Sequence, residues 1–102
     1  MIKIECAESL TAHNANFIYK NDNSHEWWLL IQTHSTTCFY IDGEEIIMPE
    51  NTAILYPPHS EIMYRAYNNE PFSDYWVRFF TDETFVTNGM IPTATPFKTM
   101  QS

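Results

Sequence analysis

The sequence predicts a single all-β domain of the sandwich or jelly-roll kind. Between Glu26 and Phe80, apolar and aromatic runs alternate with short turns, and no stretch there repeats its apolar residues at helical spacing. Within that region, Asp42-Gly43 sits between the β-prone runs Thr37–Ile41 and Glu44–Met48. An Asp-Gly pair tolerates the positive φ angles that a two-residue type I′ hairpin requires. A chain of 102 residues is long enough for one core and too short for a second.

The elements follow in order. Ile2 to Cys6 and Phe17 to Tyr19 read as short strands separated by the polar stretch Ala12-His13-Asn14-Ala15-Asn16, and Asn21-Asp22-Asn23-Ser24 reads as a turn. Trp27 to Thr33 is a nearly continuous apolar run, the pattern of a central strand buried on both faces. After the hairpin, Pro49-Glu50-Asn51 turns the chain into a strand over Thr52 to Tyr56. Pro57-Pro58 ends that strand, because two successive prolines remove two ladder donors and fix φ. Ile62 to Ala66 and Phe72 to Phe80 are the next strands, joined by the polar turn Tyr67-Asn68-Asn69-Glu70-Pro71. The segment from Thr87 to Phe97 is rich in turn formers and small polar residues, and is expected to be a loop or a final short strand.

Composition excludes several functions. With 13 acidic against 5 basic side chains the formal charge is −8, so these residues as a whole repel a phosphate backbone. An aromatic content of 16% is too much large apolar surface for a disordered tail and suits a core or a small-molecule pocket. No apolar run approaches the roughly 18 residues of a membrane-spanning helix, and Met1-Ile2-Lys3-Ile4-Glu5 lacks the charged-then-apolar pattern of a secretory signal. A cytoplasmic location is therefore expected, with Cys6 and Cys38 as reduced, partly buried thiols.

Four pieces in order carry a family resemblance: Trp28-Leu29-Leu30-Ile31, Ile41-Asp42-Gly43, Leu55-Tyr56-Pro57-Pro58-His59 and Asp74-Tyr75-Trp76-Val77-Arg78-Phe79. Over residues 26 to 80 the chain resembles the N-terminal ligand-sensing domain of AraC-type bacterial transcriptional regulators. The resemblance implies a cupin-like jelly roll, or double-stranded β-barrel, with residues 1–25 as an N-terminal arm and edge strands, 26–80 as the barrel core and 81–102 as a closing segment or the start of a linker. It further implies that the chain is the sensory part of a longer protein, whose helix-turn-helix region lies outside these 102 residues and alone contacts DNA. The chain departs from the pattern at Ser35-Thr36-Thr37, where the family has a glycine-flanked turn, and at His59, where it often has glycine.

Enzyme chemistry finds few footholds. Metal-dependent cupins converge histidines and a carboxylate, commonly from i and i+2 on one strand face. His13, His25, His34 and His59 include no His-x-His pair, and the resemblance places Ile62 where the second motif of metal-binding cupins has its histidine. His25 and Glu26 point to opposite faces of any strand and read as a solvated pair at a turn edge. The serines lack a nucleophile-elbow context. No cofactor is expected, and the alternative function is a small metal-dependent cupin enzyme of the isomerase or dioxygenase class, using His25, His34 or His59.

Binding is the favoured chemistry. Along Phe72 to Phe80, alternation puts Asp74, Trp76, Arg78 and Phe80 on one face, and Tyr75, Val77 and Phe79 on the other. An acid, an indole and a guanidinium together suit a small polar metabolite, while the second set reads as core. In the sugar-sensing member for which the family is named, the positions matching Tyr64 and Trp76 are aromatic and face the ligand, as do those matching His34 and Asp74, where the residue types differ. The resemblance thus nominates Tyr64, Trp76, Asp74 and His34, and alternation adds Arg78. A third reading is a structural module that forms a homodimer through exposed Trp27, Trp28, Tyr75 and Trp76.

Overall fold

Strand alternation makes one face of each segment apolar, and two such faces closing on each other build the protein. The computed structural model describes residues 3–81 and 95–98. Its strands are β1 (Lys3–His13), β2 (Ile18–Asn21), β3 (Trp28–Thr33), β4 (Thr37–Ile41), β5 (Glu44–Met48), β6 (Thr52–Tyr56), β7 (Ile62–Ala66), β8 (Phe72–Phe80) and β9 (Phe97–Lys98). They form a five-stranded sheet in the order β1-β8-β3-β6-β9 and a four-stranded sheet in the order β2-β7-β4-β5. All pairings are antiparallel.

The core lies between the sheets. Leu29, Ile31, Ile54, Tyr56 and Phe72 come from one sheet and Phe39, Ile62, Tyr64 and Ala66 from the other, all buried in one cluster. The fold is therefore all-β and jelly-roll-like. No ladder joins the two sheets among the described residues, so this is an open sandwich rather than the closed barrel that the resemblance implied. Closure needs paired edges, and among the described residues β1, β9, β2 and β5 each have a single neighbour.

The N-terminal strand is longer than its composition suggests. β1 runs through the polar residues to His13 because β8 offers it nine residues of backbone, and register shifts between Ile4 and Cys6 and between Glu8 and Thr11 absorb the surplus. β2 is displaced toward Asn21, which pairs with Ile62 instead of turning. β3 is central, with β8 on one side and β6 on the other. It is buried throughout on its inner face, but on its outer face Trp28 is covered while Leu30 is 36% exposed, so burial on both faces holds at one end alone.

The outer face of the five-stranded sheet carries a smaller cluster of Trp28, Leu55 and Phe79, with Val77 packed against it. Val77 and Phe79 thus belong to this satellite and not to the main core, and Tyr75 on the same face is exposed. The same cluster corrects the reading of Trp28 as an exposed aromatic. Of the thiols, Cys38 is buried, whereas Cys6 is exposed and not partly buried as expected.

Turn chemistry follows the sequence closely. Asp42 and Gly43 have φ of 52° and 80°, the type I′ pattern, and Asn51, Asn68 and Asn69 also take positive φ. His59, where the resemblance leads one to expect glycine, takes φ of 62°. Its N–H donates to the carbonyl of His25 at 2.9 Å and its Nδ1 lies 3.2 Å from the carbonyl of Asn23, contacts that hold a side chain in a conformation glycine adopts freely.

A Cβ built at Gly43 meets nothing within 4 Å, so a substitution there acts through backbone conformation alone. Gly43→Ala is expected to cost about 1 kcal/mol of stability, the left-handed penalty of an L-residue. Urea denaturation reads it as a lowered midpoint at unchanged slope; an unchanged midpoint would show that the hairpin relaxes to another turn.

Candidate functional site

The site grows from the inner face of β8. Asp74, Trp76 and Arg78 follow one another on that face, and β3 sets Thr33, Ile31 and Leu29 beside them in register. On the other flank, β1 brings Glu8 opposite Trp76. From the facing sheet, Tyr64 on β7 pairs with Tyr19 on β2, their rings stacked 5.2 Å apart. Between these side chains lies a cavity of about 210 Å³, lined by Tyr64, Asp74, Trp76 and Arg78 together with Glu8, Tyr19 and three neighbours from β1, β3 and the β1–β2 turn.

One wall is a run of stacked rings. His13 stacks on Phe17 at 4.0 Å, Phe17 on Phe72 at 4.8 Å, and Phe72 on Tyr64 at 5.9 Å. The opposite corner holds the cation. Arg78 lies over the Trp27 ring at 4.3 Å and over Trp76 at 5.4 Å, and its Nη2 donates to Tyr19 Oη at 2.9 Å. Its Nε is buried with no hydrogen-bond partner among the described residues. Ring faces carry negative potential, so two indoles flank the guanidinium without consuming its in-plane donors.

Asp74 is 2% exposed, a buried carboxylate on the floor of a chamber whose roof is the 3% exposed Tyr64. Burial pushes the Tyr64 phenol well above its usual range, and the nearby Asp74 carboxylate pushes it further. The phenol stays neutral and can both donate and accept. Tyr56, in the same core cluster, is also held protonated by burial, and its hydroxyl has no hydrogen-bond partner among the described residues.

Four of the five nominated residues, Tyr64, Trp76, Asp74 and Arg78, meet in this cavity. His34 does not. It follows the end of β3, and its ring packs edge-on against Tyr75, 4.5 Å between centroids, on the outer side of the sheet. Glu8, Tyr19 and Phe17 were not nominated, although alternation puts Phe17 and Tyr19 on one face. Nothing local in the sequence announces that Glu8 lies across from Trp76.

His25 is not the solvated turn residue expected. It is 7% exposed, stacks on Trp27 at 4.0 Å, and presents Nδ1 to the carbonyl of Trp27 at 3.0 Å and Nε2 to that of Ser60 at 2.7 Å. It thereby braces the indole that Arg78 rests on; Glu26 beside it is exposed. A second, larger hollow of about 440 Å³ opens beside the Asp42-Gly43 turn, lined by Tyr40, Tyr56, Glu61 and Met63 among others. None of the nominated residues lines it, and its charged groups, Asp42 and Glu61, are both exposed acids.

Among the described residues, no three His, Cys, Asp or Glu side chains converge closely enough to hold a metal ion. No helix among them is long and apolar enough to cross a membrane. Compared with known proteins, the chain matches no family model and no curated protein.

Two raised phenols make stability fall in alkali. Folded Tyr56 and Tyr64 keep their protons above pH ~10, where unfolded tyrosines release theirs, so their contribution is complete below pH ~10 and is lost as pH rises beyond it. Denaturation between pH 9 and 11.5 (an interval set by that ~10 reference) is expected to show the decline, and Tyr64→Phe to reduce it. Tyr56→Phe removes a buried hydroxyl without a partner and is expected to raise stability by about 1 kcal/mol; a loss of that size would reveal a hydrogen bond to water.

Proposed function

We propose that this chain is the effector-sensing domain of an AraC-type bacterial transcriptional regulator, a non-enzymatic cytoplasmic module that binds a small polar metabolite and controls a linked C-terminal DNA-binding region. The observation that carries the reading is the cavity between the sheets, where Tyr64, Asp74, Trp76 and Arg78 converge. It joins an aromatic wall to a few oriented polar groups, the make-up of a small-molecule site. The jelly-roll-like sandwich and the formal charge of −8, which leaves DNA contact to other residues, agree with it.

In mechanism, the ligand lies against Trp76 and Tyr64 while Arg78 and Asp74 fix its orientation. Glu8 on β1 and Tyr19 on β2 also line the cavity, so occupancy ties the N-terminal strands to the body of the domain. That coupling transmits a signal if the ligand binds one state of the linked region better than the other.

A thermal-unfolding screen of the chain against sugars, small acids, amines and amino acids tests the proposal. A ligand present at about 100 times its Kd is expected to add about 2.7 kcal/mol to the apparent stability, and Trp76→Leu to remove the response. Silence across all four classes would overturn the sensing reading in favour of a filled structural module. Two helix-turn-helix patterns in the continuing reading frame would support the regulator assignment, and their absence would oppose it.

A further inference from the structure

The hollow beside the Asp42-Gly43 turn marks a break in the four-stranded sheet. β4 and β7 pair through Thr37 with Ala66, Cys38 with Arg65 and Phe39 with Tyr64. Their ladder stops there, although β4 continues to Ile41 and β7 begins at Ile62. The same register would set Tyr40 against Met63, but that rung is missing and both residues line the hollow. The opening runs from the exposed turn to Tyr56 in the core, and its volume of about 440 Å³ falls within the ~300–1,000 Å³ of small-molecule sites.

At the buried end is a polar group that the fold leaves unused. Tyr56 lines the hollow and is 2% exposed, yet its hydroxyl has no hydrogen-bond partner among the described residues. A buried hydroxyl without a partner costs stability, and phenylalanine in its place would avoid that cost. Groups that weaken the fold in this way are characteristic of binding sites, where stability is given up for function. Burial also holds the phenol protonated, so it offers one O–H donor and the lone pairs of a neutral oxygen.

The sign of charge at the mouth selects the molecule. Asp42 and Glu61 are the charged residues that line the hollow among those described, and both are exposed acids in a chain of formal charge −8. Arg65 donates to the Tyr40 hydroxyl at 2.8 Å but does not itself line the hollow. Two carboxylates there raise the local concentration of cations and lower that of anions over a screening length of roughly 8 Å at physiological salt. A ligand therefore needs the opposite sign and no direct contact with either acid. Tyr40, Ile41 and Met63 supply apolar surface for its body.

We infer that this hollow is a second ligand site, and that it takes a small protonated organic amine hydrogen-bonded to the Tyr56 hydroxyl. It stands apart from the effector reading, since the hollow and the cavity around Trp76 share no lining residue.

The test is calorimetry of the unaltered chain with two matched series: butylamine, butanol and butyrate, and tyramine, para-ethylphenol and para-hydroxyphenylacetate. At least one amine is expected to bind about tenfold more tightly than the neutral member of its series, with the carboxylate weakest and the advantage shrinking as salt rises. Backbone amide shifts on binding are expected to cluster at residues 40–43 and 60–63 rather than around Trp76. Tyr56→Phe is expected to weaken the amine about tenfold while raising the unfolding midpoint of the free chain. Asp42→Asn combined with Glu61→Gln is expected to remove most of the salt dependence. Trp76→Leu, which empties the effector cavity of its indole, is expected to leave amine binding in place.

Equal binding of the charged and neutral members in both series would overturn the amine. Undiminished amine binding by Tyr56→Phe, or its loss in Trp76→Leu, would overturn the site, as would silence of both series. Should either variant fail to fold, the amide shifts of the unaltered chain decide where the amine lies.

Discussion

The ladder between β3 and β8 fixes almost everything else in the molecule. Running from Trp28 opposite Phe79 to Thr33 opposite Asp74, it makes the inner face of one sheet from Leu29, Ile31 and Thr33 beside Arg78, Trp76 and Asp74. A slip of one residue would send those three polar and aromatic groups outward and bring Tyr75, Val77 and Phe79 in. Apolar burial specifies the register, because Leu29 and Ile31 are almost fully buried in a cluster that the other sheet completes. The polar groups of the cavity are thus placed by the hydrophobic residues that alternate with Leu30 and Gln32, not by any attraction of their own.

Placing them has a cost that the surroundings offset. A guanidinium and a carboxylate on the inner face of a sandwich lose water. Around Arg78 that loss is met by two indoles and a phenol, and one of those indoles is itself braced by His25, whose ring spans the carbonyls of Trp27 and Ser60. The braces come from outside the strands, from the segment between β2 and β3 and the loop after β6. The loops tied together by His59 and His25 therefore do more than connect strands: they stiffen one corner of the cavity.

What could be read from the sequence was what local chemistry decides. Asp42-Gly43 and Asn68-Asn69 announce their turns because these residues tolerate the positive φ that the turns use, and Pro57-Pro58 announces its turn because proline fixes φ. The face of β8 was legible because alternation is strict in a regular strand, and so Asp74, Trp76 and Arg78 were named together. The length of β1 was hidden, since its polar half is a strand only through β8, some sixty residues on. His25 escapes the sequence for a related reason: the Ser60 carbonyl that its ring meets is 35 residues distant. His34 was nominated by resemblance, but β3 ends just before it and its ring settles against Tyr75.

The contrast between the two thiols has a practical consequence. Cys38 is sealed in the sheet, while Cys6 is on the surface and sits across the β1–β8 ladder from Arg78. An alkylating fluorophore would therefore mark one position of the native chain without any engineered cysteine, because a buried thiol reacts slowly and an exposed one does not. A dye at Cys6 would stand one strand away from the guanidinium, close enough to the cavity for its emission to report occupancy. The edge strand thus gives the protein a built-in optical reporter.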